Sequence, residues 1–492
     1  MKIVIVGGGI TGWLSALVFS HKQPNHQYVI VESPDVNTIG VGEGTTGLFN
    51  ETIFKFPSVN PQEFLRETKA TPKIGIEFNN WSKKGSTFFN PLDGTLTGSQ
   101  NFDSYIYYTY INNKSLDTSS LHGFIKRNNK TPFYTEGGPF YSEGEYLKAY
   151  NTAVHLDNNL TIQYLKKKTL GNNNIAFISD TVTKIKRDET GKVKKIICKK
   201  NNVNGDIFID CTGYKRIFSE DSDWISFKNN LPMNSVTTFV RKHSGNVDCV
   251  TKATALSSGW CWEIPTQERV GCGYVHCDRF INQEDVEKEI KLNYPDANIK
   301  KSFKFESGKL KKSWNHNVIS LGLAYHFLEP LQATNIHLTI VQLDVLCEKY
   351  FKNSTDKTLN IHMISSYNRH IDSLIENFRN FINIHYSGKR CDTDFWKEIS
   401  IGEHLTDFSK EILGIFKIRG LYDSDLPLML GGAGVALWGH TLLGLNHLTK
   451  QDCHIFLSEK DYYNKMKEIS SKLETHLINI PFLSYKELID IL

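Results

Sequence analysis

Met1-Lys2-Ile3-Val4-Ile5-Val6-Gly7-Gly8-Gly9-Ile10-Thr11-Gly12-Trp13 is the stretch whose reading decides the fold. Ile3 to Val6 form a short apolar run rich in β-branched types, which suits a strand buried on both faces. Gly7, Gly9 and Gly12 follow at G-x-G-x-x-G spacing, and Leu14 to Phe19 continue as a helix. Gly7 permits a tight turn, Gly9 lets a pyrophosphate approach the backbone, and Gly12 lets the helix pack close to the strand. The helix N-terminus offers unpaired N–H groups and a partial positive charge to phosphates. A second strand, Tyr28 to Val31, ends in Glu32, twenty residues beyond Gly12, where an acid accepts from a ribose hydroxyl. Strand, loop, helix, strand and acid together point to a dinucleotide, with NAD and FAD both open. The alternative is a plain βαβ unit with a glycine-lined turn.

The 492 residues can bury a large core, organised as one α/β domain with an elaborated second part. Hydrophobic residues at 40% and charged ones at 22% belong to an ordinary globular chain. Lys+Arg at 57 against Asp+Glu at 53 leaves a net charge of +4. That is too small a balance to argue for nucleic acid, so Lys166-Lys167-Lys168 and Lys199-Lys200 read as solvated faces. Nine scattered cysteines without a C-x-x-C pair indicate neither a disulfide framework nor a zinc site. No signal peptide precedes the first strand and no apolar run reaches membrane-spanning length, so a cytoplasmic, reducing location is the expectation.

Further along, Ile39-Gly40-Val41-Gly42-Glu43-Gly44 is a second glycine-dense turn expected back at the nucleotide. In Lys73-Ile74-Gly75-Ile76-Glu77-Phe78-Asn79-Asn80-Trp81, alternation predicts one strand, with Ile74, Ile76 and Phe78 on one face and Lys73, Gly75 and Glu77 on the other. Residues 95–145, aromatic and polar, read as loops and short strands. Glu145 to Lys168, containing His155, reads as a helix. Ile175–Ile185 and Lys192–Lys199 read as strands, and Phe208-Ile209-Asp210-Cys211-Thr212-Gly213 as an apolar strand closing at the nucleotide. Residues 230–280 predict an antiparallel sheet. From Asn335 onwards the spacing turns helical, with Ile336, Ile340, Leu343 and Cys347 on one face.

Gly259-Trp260-Cys261-Trp262-Glu263-Ile264-Pro265 is the most specific stretch. Trp260 and Trp262, at i and i+2, put both indoles on one face of a strand that Pro265 ends. Without further context they are an aromatic core pair. Together with the glycine loop, however, the sequence resembles the flavin-dependent halogenases of the tryptophan-halogenase type, which carry G-x-G-x-x-G and G-W-x-W-x-I-P. Ile39–Gly44, Phe208–Gly213, the run Ser320–Leu331, His385-Tyr386 and Phe395-Trp396 are similar to family stretches as well. The likeness runs from about residue 1 to 400.

The resemblance implies a two-dinucleotide-domain FAD-binding fold with a parallel Rossmann-like sheet, an antiparallel sheet and a mostly helical C-terminal part. It implies FAD-binding residues 1–335 with substrate-side insertions at about 62–150 and 225–310, then a helical substrate side over 336–492. Reduced FAD from a separate flavin reductase reacts with O₂ to a flavin hydroperoxide, and a bound halide (chloride, bromide or iodide) is oxidised to hypohalous acid. Flavin contacts are expected at Gly7, Gly8, Gly9, Ile10, Thr11, Gly12, Glu32, Gly42, Gly44, Val182, Asp210, Gly213, Leu331 and Ile336. Halide is expected at Thr334 and Asn335, and Trp260 and Trp262 keep substrate from the flavin. Lys73 corresponds to the lysine that receives the oxidant, by hydrogen bond or as a haloamine.

The chain departs from the family at Pro330-Leu331-Gln332-Ala333-Thr334-Asn335, where the family has P-L-E-S-T-G. Gln332 accepts a hydrogen bond but is no base near neutral pH, so weaker help for the second chemical step is expected. Asn335 replaces Gly, and Asn tolerates a left-handed turn better than other residues. Leu421 to Gly444 shows no clamp for a free amino acid; Trp438 there reads as pocket wall or core. The expected activity is therefore electrophilic halogenation of an electron-rich phenol, indole or pyrrole rather than free tryptophan, by a homo-oligomer. A monooxygenase on the same fold is the alternative, and a non-catalytic flavin-binding protein a third.

Overall fold

The computed structural model describes residues 1–36, 42–92, 102–112, 116–134, 152–243, 245, 247–352, 360–427, 431–456 and 460–492. Its nucleotide-side layer is a six-stranded sheet ordered Trp314–Asn315, Val318–Ser320, Ile207–Asp210, Lys2–Val6, Gln27–Glu32, Ile175–Ser179. All neighbours are parallel except the short edge Trp314–Asn315. Ile3 and Ile5 face the helix Ile10–Lys22 in the main core, while Val4 and Val6 join a second core with Val193, Ile196 and Val203. An apolar strand without polar alternation is what two covered faces require.

The other large sheet has seven strands, in the order Asn298–Lys304, Ser235–Lys242, Arg269–His276, Gly259–Pro265, Val250–Leu256, Gly75–Asn79, Thr87–Pro91. It is antiparallel except where Val250–Leu256 meets Gly75–Asn79 in parallel. A third, three-stranded sheet pairs Ala153–Asp157 with both Gly42–Gly44 and Thr71–Lys73.

Three local expectations change. The strand predicted through Lys73 is two strands in two sheets, Thr71–Lys73 and Gly75–Asn79, broken at Ile74. The break resets the alternation: Ile74 enters a separate core with Phe89 and Leu121, while Ile76 and Phe78 join the main core. Lys73 and Ile76 thus face one cleft, and Glu77 points elsewhere, to Lys126 at 2.9 Å. His155 is on the strand Ala153–Asp157 rather than in a helix, because Asp157 accepts from the N–H groups of Asn159 and Leu160 and so starts the helix at Asn158. Between 95 and 145 the described residues form the helices Phe102–Ile111 and Leu121–Arg127 and the strand Lys130–Tyr134. Residues 95–101, 113–115 and 135–151, with Ile39–Val41 and residues 428–430, lie outside the described residues.

The last third is mainly helical, through Thr334–Val345, Ile361–Ile384, Asp394–Ile401, Asp407–Ile418, Val435–Gly444 and Lys460–Ile478. One hydrophobic core holds Ile5 and Trp13 together with Ile340, Leu374 and Trp438. Among the described residues no helix is long and apolar enough to cross a membrane.

Candidate active site

The glycine loop divides its work among its members. Gly7 has φ +120°, and a Cβ there would lie 2.2 Å from the Cys211 carbonyl oxygen. A Cβ on Gly12 would lie 1.9 Å from the Gly7 oxygen, so Gly12 serves helix–strand packing. A Cβ on Gly9 would meet nothing within 4 Å, because Gly9 faces open space. That space is a cleft of about 410 Å³, lined along the loop by Gly7, Gly8, Gly9, Ile10 and Thr11. Glu32, Gly42, Gly44, Val182 and Gly213 line its next stretch, and Leu331, Asn335 and Ile336 another part of the wall. Asp210 stands behind this wall, fully buried, with Oδ1 accepting from the Thr212 N–H at 2.9 Å and hydroxyl at 2.6 Å. The open face at Gly9 and the helix N-terminus beyond it fit a dinucleotide pyrophosphate.

Glu32 carries a partner that sequence reading missed. Lys166 Nζ donates to its Oε2 at 2.7 Å while lying 4.2 Å from the centre of the Phe177 ring. Position 166 is 134 residues away in sequence, so no local pattern announces the pair.

Lys73 is fully buried and lines the same cleft. Its Nζ donates to the Thr45 carbonyl at 2.9 Å, one acceptor for a group with three donors. Burial lowers its pKa from 10.5 to about 7, so both protonation states are within reach near neutral pH. Next to it, Thr71 donates to the Pro265 carbonyl at 2.6 Å, which leaves its oxygen to accept from His155 Nδ1 at 3.1 Å. His155 Nε2 meets the Thr251 hydroxyl at 2.9 Å, and Thr251 lines the cleft. Burial and the nearby Lys73 both depress this histidine, so the imidazole is neutral.

Both indoles of the Gly259–Pro265 strand line the cleft as well. Trp262 lies across Gly273, where a Cβ would meet the ring at 2.2 Å. Trp260 donates to the Tyr386 hydroxyl at 3.1 Å, and Tyr386 donates in turn to Glu329. Glu329 is fully buried with Oε1 unpartnered, and burial raises it to about 7.

The halide turn differs from expectation. Its left-handed residue is Ala333, at φ 54° and ψ 40°, while Asn335 is already within the helix Thr334–Val345. Ala333 offers that helix no side-chain cap. The Thr334 hydroxyl is buried and unpartnered, a donor that suits an anion beside free N–H groups of a first helical turn. Gln332 is nine-tenths buried, and its Nε2 lies 2.7 Å from His385 Nε2. Trp438 packs on Phe381 at 5.4 Å and is fully buried in the core.

Comparison with known proteins identifies the family and the fold. A family model described as tryptophan halogenase matches residues 2–462. The chain is 27% identical over 430 residues to tryptophan 7-halogenase RebH of Lentzea aerocolonigenes, covering 82% of this chain and 80% of that one. It is 26% identical over 443 residues to tryptophan 6-halogenase ThaL of Streptomyces albogriseolus, with the same coverage of each. Among solved structures, tryptophan 6-halogenase SttH of Streptomyces toxytricini superposes with a TM-score of 0.85 at 21% identity, covering 100% of this chain and 99% of that one. The tryptophan halogenase of Shewanella frigidimarina gives 0.86 at 21%, covering 100% and 97%, a likeness of fold.

Proposed function

The chain belongs to the tryptophan halogenase family and is a flavin-dependent halogenase, and from that premise we propose that it halogenates an electron-rich phenol, indole or pyrrole rather than free tryptophan. The observation that carries the reading is Lys73: a dry amine with one hydrogen bond, in the same cleft as the glycine loop and both indoles. Reduced FAD, taken from a separate flavin reductase, would when bound react with O₂ and supply the oxidising equivalents that turn a halide into hypohalous acid.

In this reading the loop Gly7–Gly12 holds the pyrophosphate and Glu32 the ribose. The Thr334 hydroxyl and the backbone at Asn335 hold the halide. Trp260 and Trp262 keep the aromatic substrate away from the cofactor. Lys73, poised by burial near neutrality, donates a hydrogen bond to the oxidant as ammonium or takes up the halogen as amine. Gln332 brings no charge to the cationic ring intermediate, so the substrate's own heteroatom must stabilise it. A clamp for a free amino acid is not visible over the described part of Leu421–Gly444, where Asp425 is held by Arg419 at 2.6 Å.

The test is a competition assay. Purified protein, a flavin reductase, FAD and NADH are given mixed halides and a panel of phenols, indoles and pyrroles, and products are read by isotope pattern. Halogenated arenes are expected, and Lys73→Ala should lose them while NADH consumption continues. Hydroxylated products formed without halide would move the chain to the monooxygenase alternative. Absence of any halogenated product would overturn the proposal.

A further inference from the structure

Gln332 ends the single turn Pro330–Gln332, and its neighbours Leu331 and Ala333 line the cleft that Lys73 also lines. Its partner His385 follows the long helix Ile361–Ile384 and is fully buried. His385 Nδ1 lies 2.7 Å from the Phe381 carbonyl, a contact that only an N–H can make. Burial opposes a second proton on the ring, holding its pKa near 4. Nε2 is therefore a lone pair. The atom 2.7 Å from it must be a donor, which places the amide nitrogen of Gln332 there and turns Oε1 away. Oε1 takes no hydrogen bond from any described residue, in a residue that keeps 9% of its surface open. Aromatic rings pack against the pair: Phe78 lies 5.2 Å from the His385 ring and stacks on Phe88 at 4.7 Å.

Resting on the halogenase reading, we propose that Gln332, oriented by His385, is a fixed neutral acceptor that selects aromatic substrates carrying an O–H or N–H on the ring-activating heteroatom. The chemistry of such substrates fits this acceptor. The ring carbon bonds the halogen as the halogen's bond to oxygen, or to the Lys73 nitrogen, breaks. The ring then carries positive charge, shared with the heteroatom, and its O–H or N–H becomes more acidic. A hydrogen bond from that group to the Gln332 oxygen strengthens as the charge develops, so it favours the transition state over the ground state. The ring proton leaves to the oxygen or nitrogen that gave up the halogen, and no carboxylate is required at position 332. His385 acts through Gln332 and is a positioning residue.

Pairs of substrates that differ by one methyl group on the heteroatom test this, the Gln332→Met variant controlling for any intrinsic difference in ring reactivity. Phenol is compared with anisole, and indole with 1-methylindole, using the complete enzyme with reductase, FAD, NADH and bromide. In wild type, methylation should lower kcat/KM by about tenfold to a hundredfold, the loss expected when one buried acceptor is left without its donor. Gln332→Met keeps the side-chain length without an acceptor and should bring each pair's ratio close to one, by losing activity on the unmethylated member. His385→Phe keeps the ring contacts but deletes the lone pair, and should reduce the same ratio. Equal kcat/KM within each pair in wild type would overturn the acceptor role. A ratio that survives in Gln332→Met would assign it to the bulk of the methyl group and also overturn it. A ratio unchanged in His385→Phe would remove His385 from the device. Absence of halogenated product from every arene would instead refute the halogenase reading itself.

Discussion

Lys73 and Ala333 each have a local state that runs against ordinary preference. Lys73 has exchanged water for one carbonyl, so the folded chain releases its proton near pH 7 whereas the unfolded chain holds it to about 10.5. The unfolded state binds more protons between those values, and stability rises with pH across that window. Below pH 7 the full cost of burial is present. Lys73→Met should therefore gain stability on the order of 5 kcal/mol at about pH 6–7, shrinking to nothing above about pH 10.5; thermal melts across that range check it. Ala333 pays for a left-handed backbone with its Cβ. Ala333→Gly should raise the melting temperature, by relief of roughly 1 kcal/mol, and calorimetry would show it. The left-handed position could not be read from Pro330–Asn335, because Asn335 is the better left-handed former and only the helix start at Thr334 assigns the turn to its neighbour.

At the scale of elements, the loop after the strand Lys2–Val6 separates folding from binding. Gly7 and Gly12 face protein backbone, whereas Gly9 faces the cleft. Gly7→Ala should destabilise the fold outright, since its Cβ would overlap the Cys211 carbonyl. Gly9→Ala should melt like wild type yet bind FAD at least about tenfold more weakly, read by flavin fluorescence titration, because its methyl group occupies the pyrophosphate's approach. The packing roles of Gly7 and Gly12 were legible in the spacing alone. The Lys73 strand was not: period-2 alternation holds only within one sheet, and the chain changes sheets at Ile74. His155 was hidden for a related reason, since the cap at Asp157 joins a strand directly to a helix and the two periodicities blur.

Across the whole molecule, Glu329, Tyr386 and Trp260 tie the residue before the turn Pro330–Gln332, the end of the long helix and the indole strand into one buried chain. The carboxyl of Glu329, raised to about 7 by burial, costs stability in the sense opposite to Lys73. The unfolded chain gives up this proton near 4.5 and the folded chain near 7, so stability falls as pH rises through that window. Relative to wild type, Glu329→Gln should gain stability between about pH 4.5 and 7, by up to about 3 kcal/mol, as seen in denaturant titrations at several pH values. Because one core holds nucleotide-side and helical residues together, the effect should appear in the main unfolding transition.

By itself the sequence determined what short-range rules encode: the glycine loop, the strands around it, the indole pair at i and i+2, and the motifs of the family. These depend on φ, on side-chain period and on spacing, all within a dozen residues. Tertiary structure alone decided what depends on distant neighbours. It made Lys73 a dry amine, gave Glu32 to Lys166, and set the Gln332 amide by a histidine tautomer fixed at the Phe381 carbonyl. Protonation and hydrogen-bond direction follow from burial and from which groups meet, and neither is a property of adjacent residues.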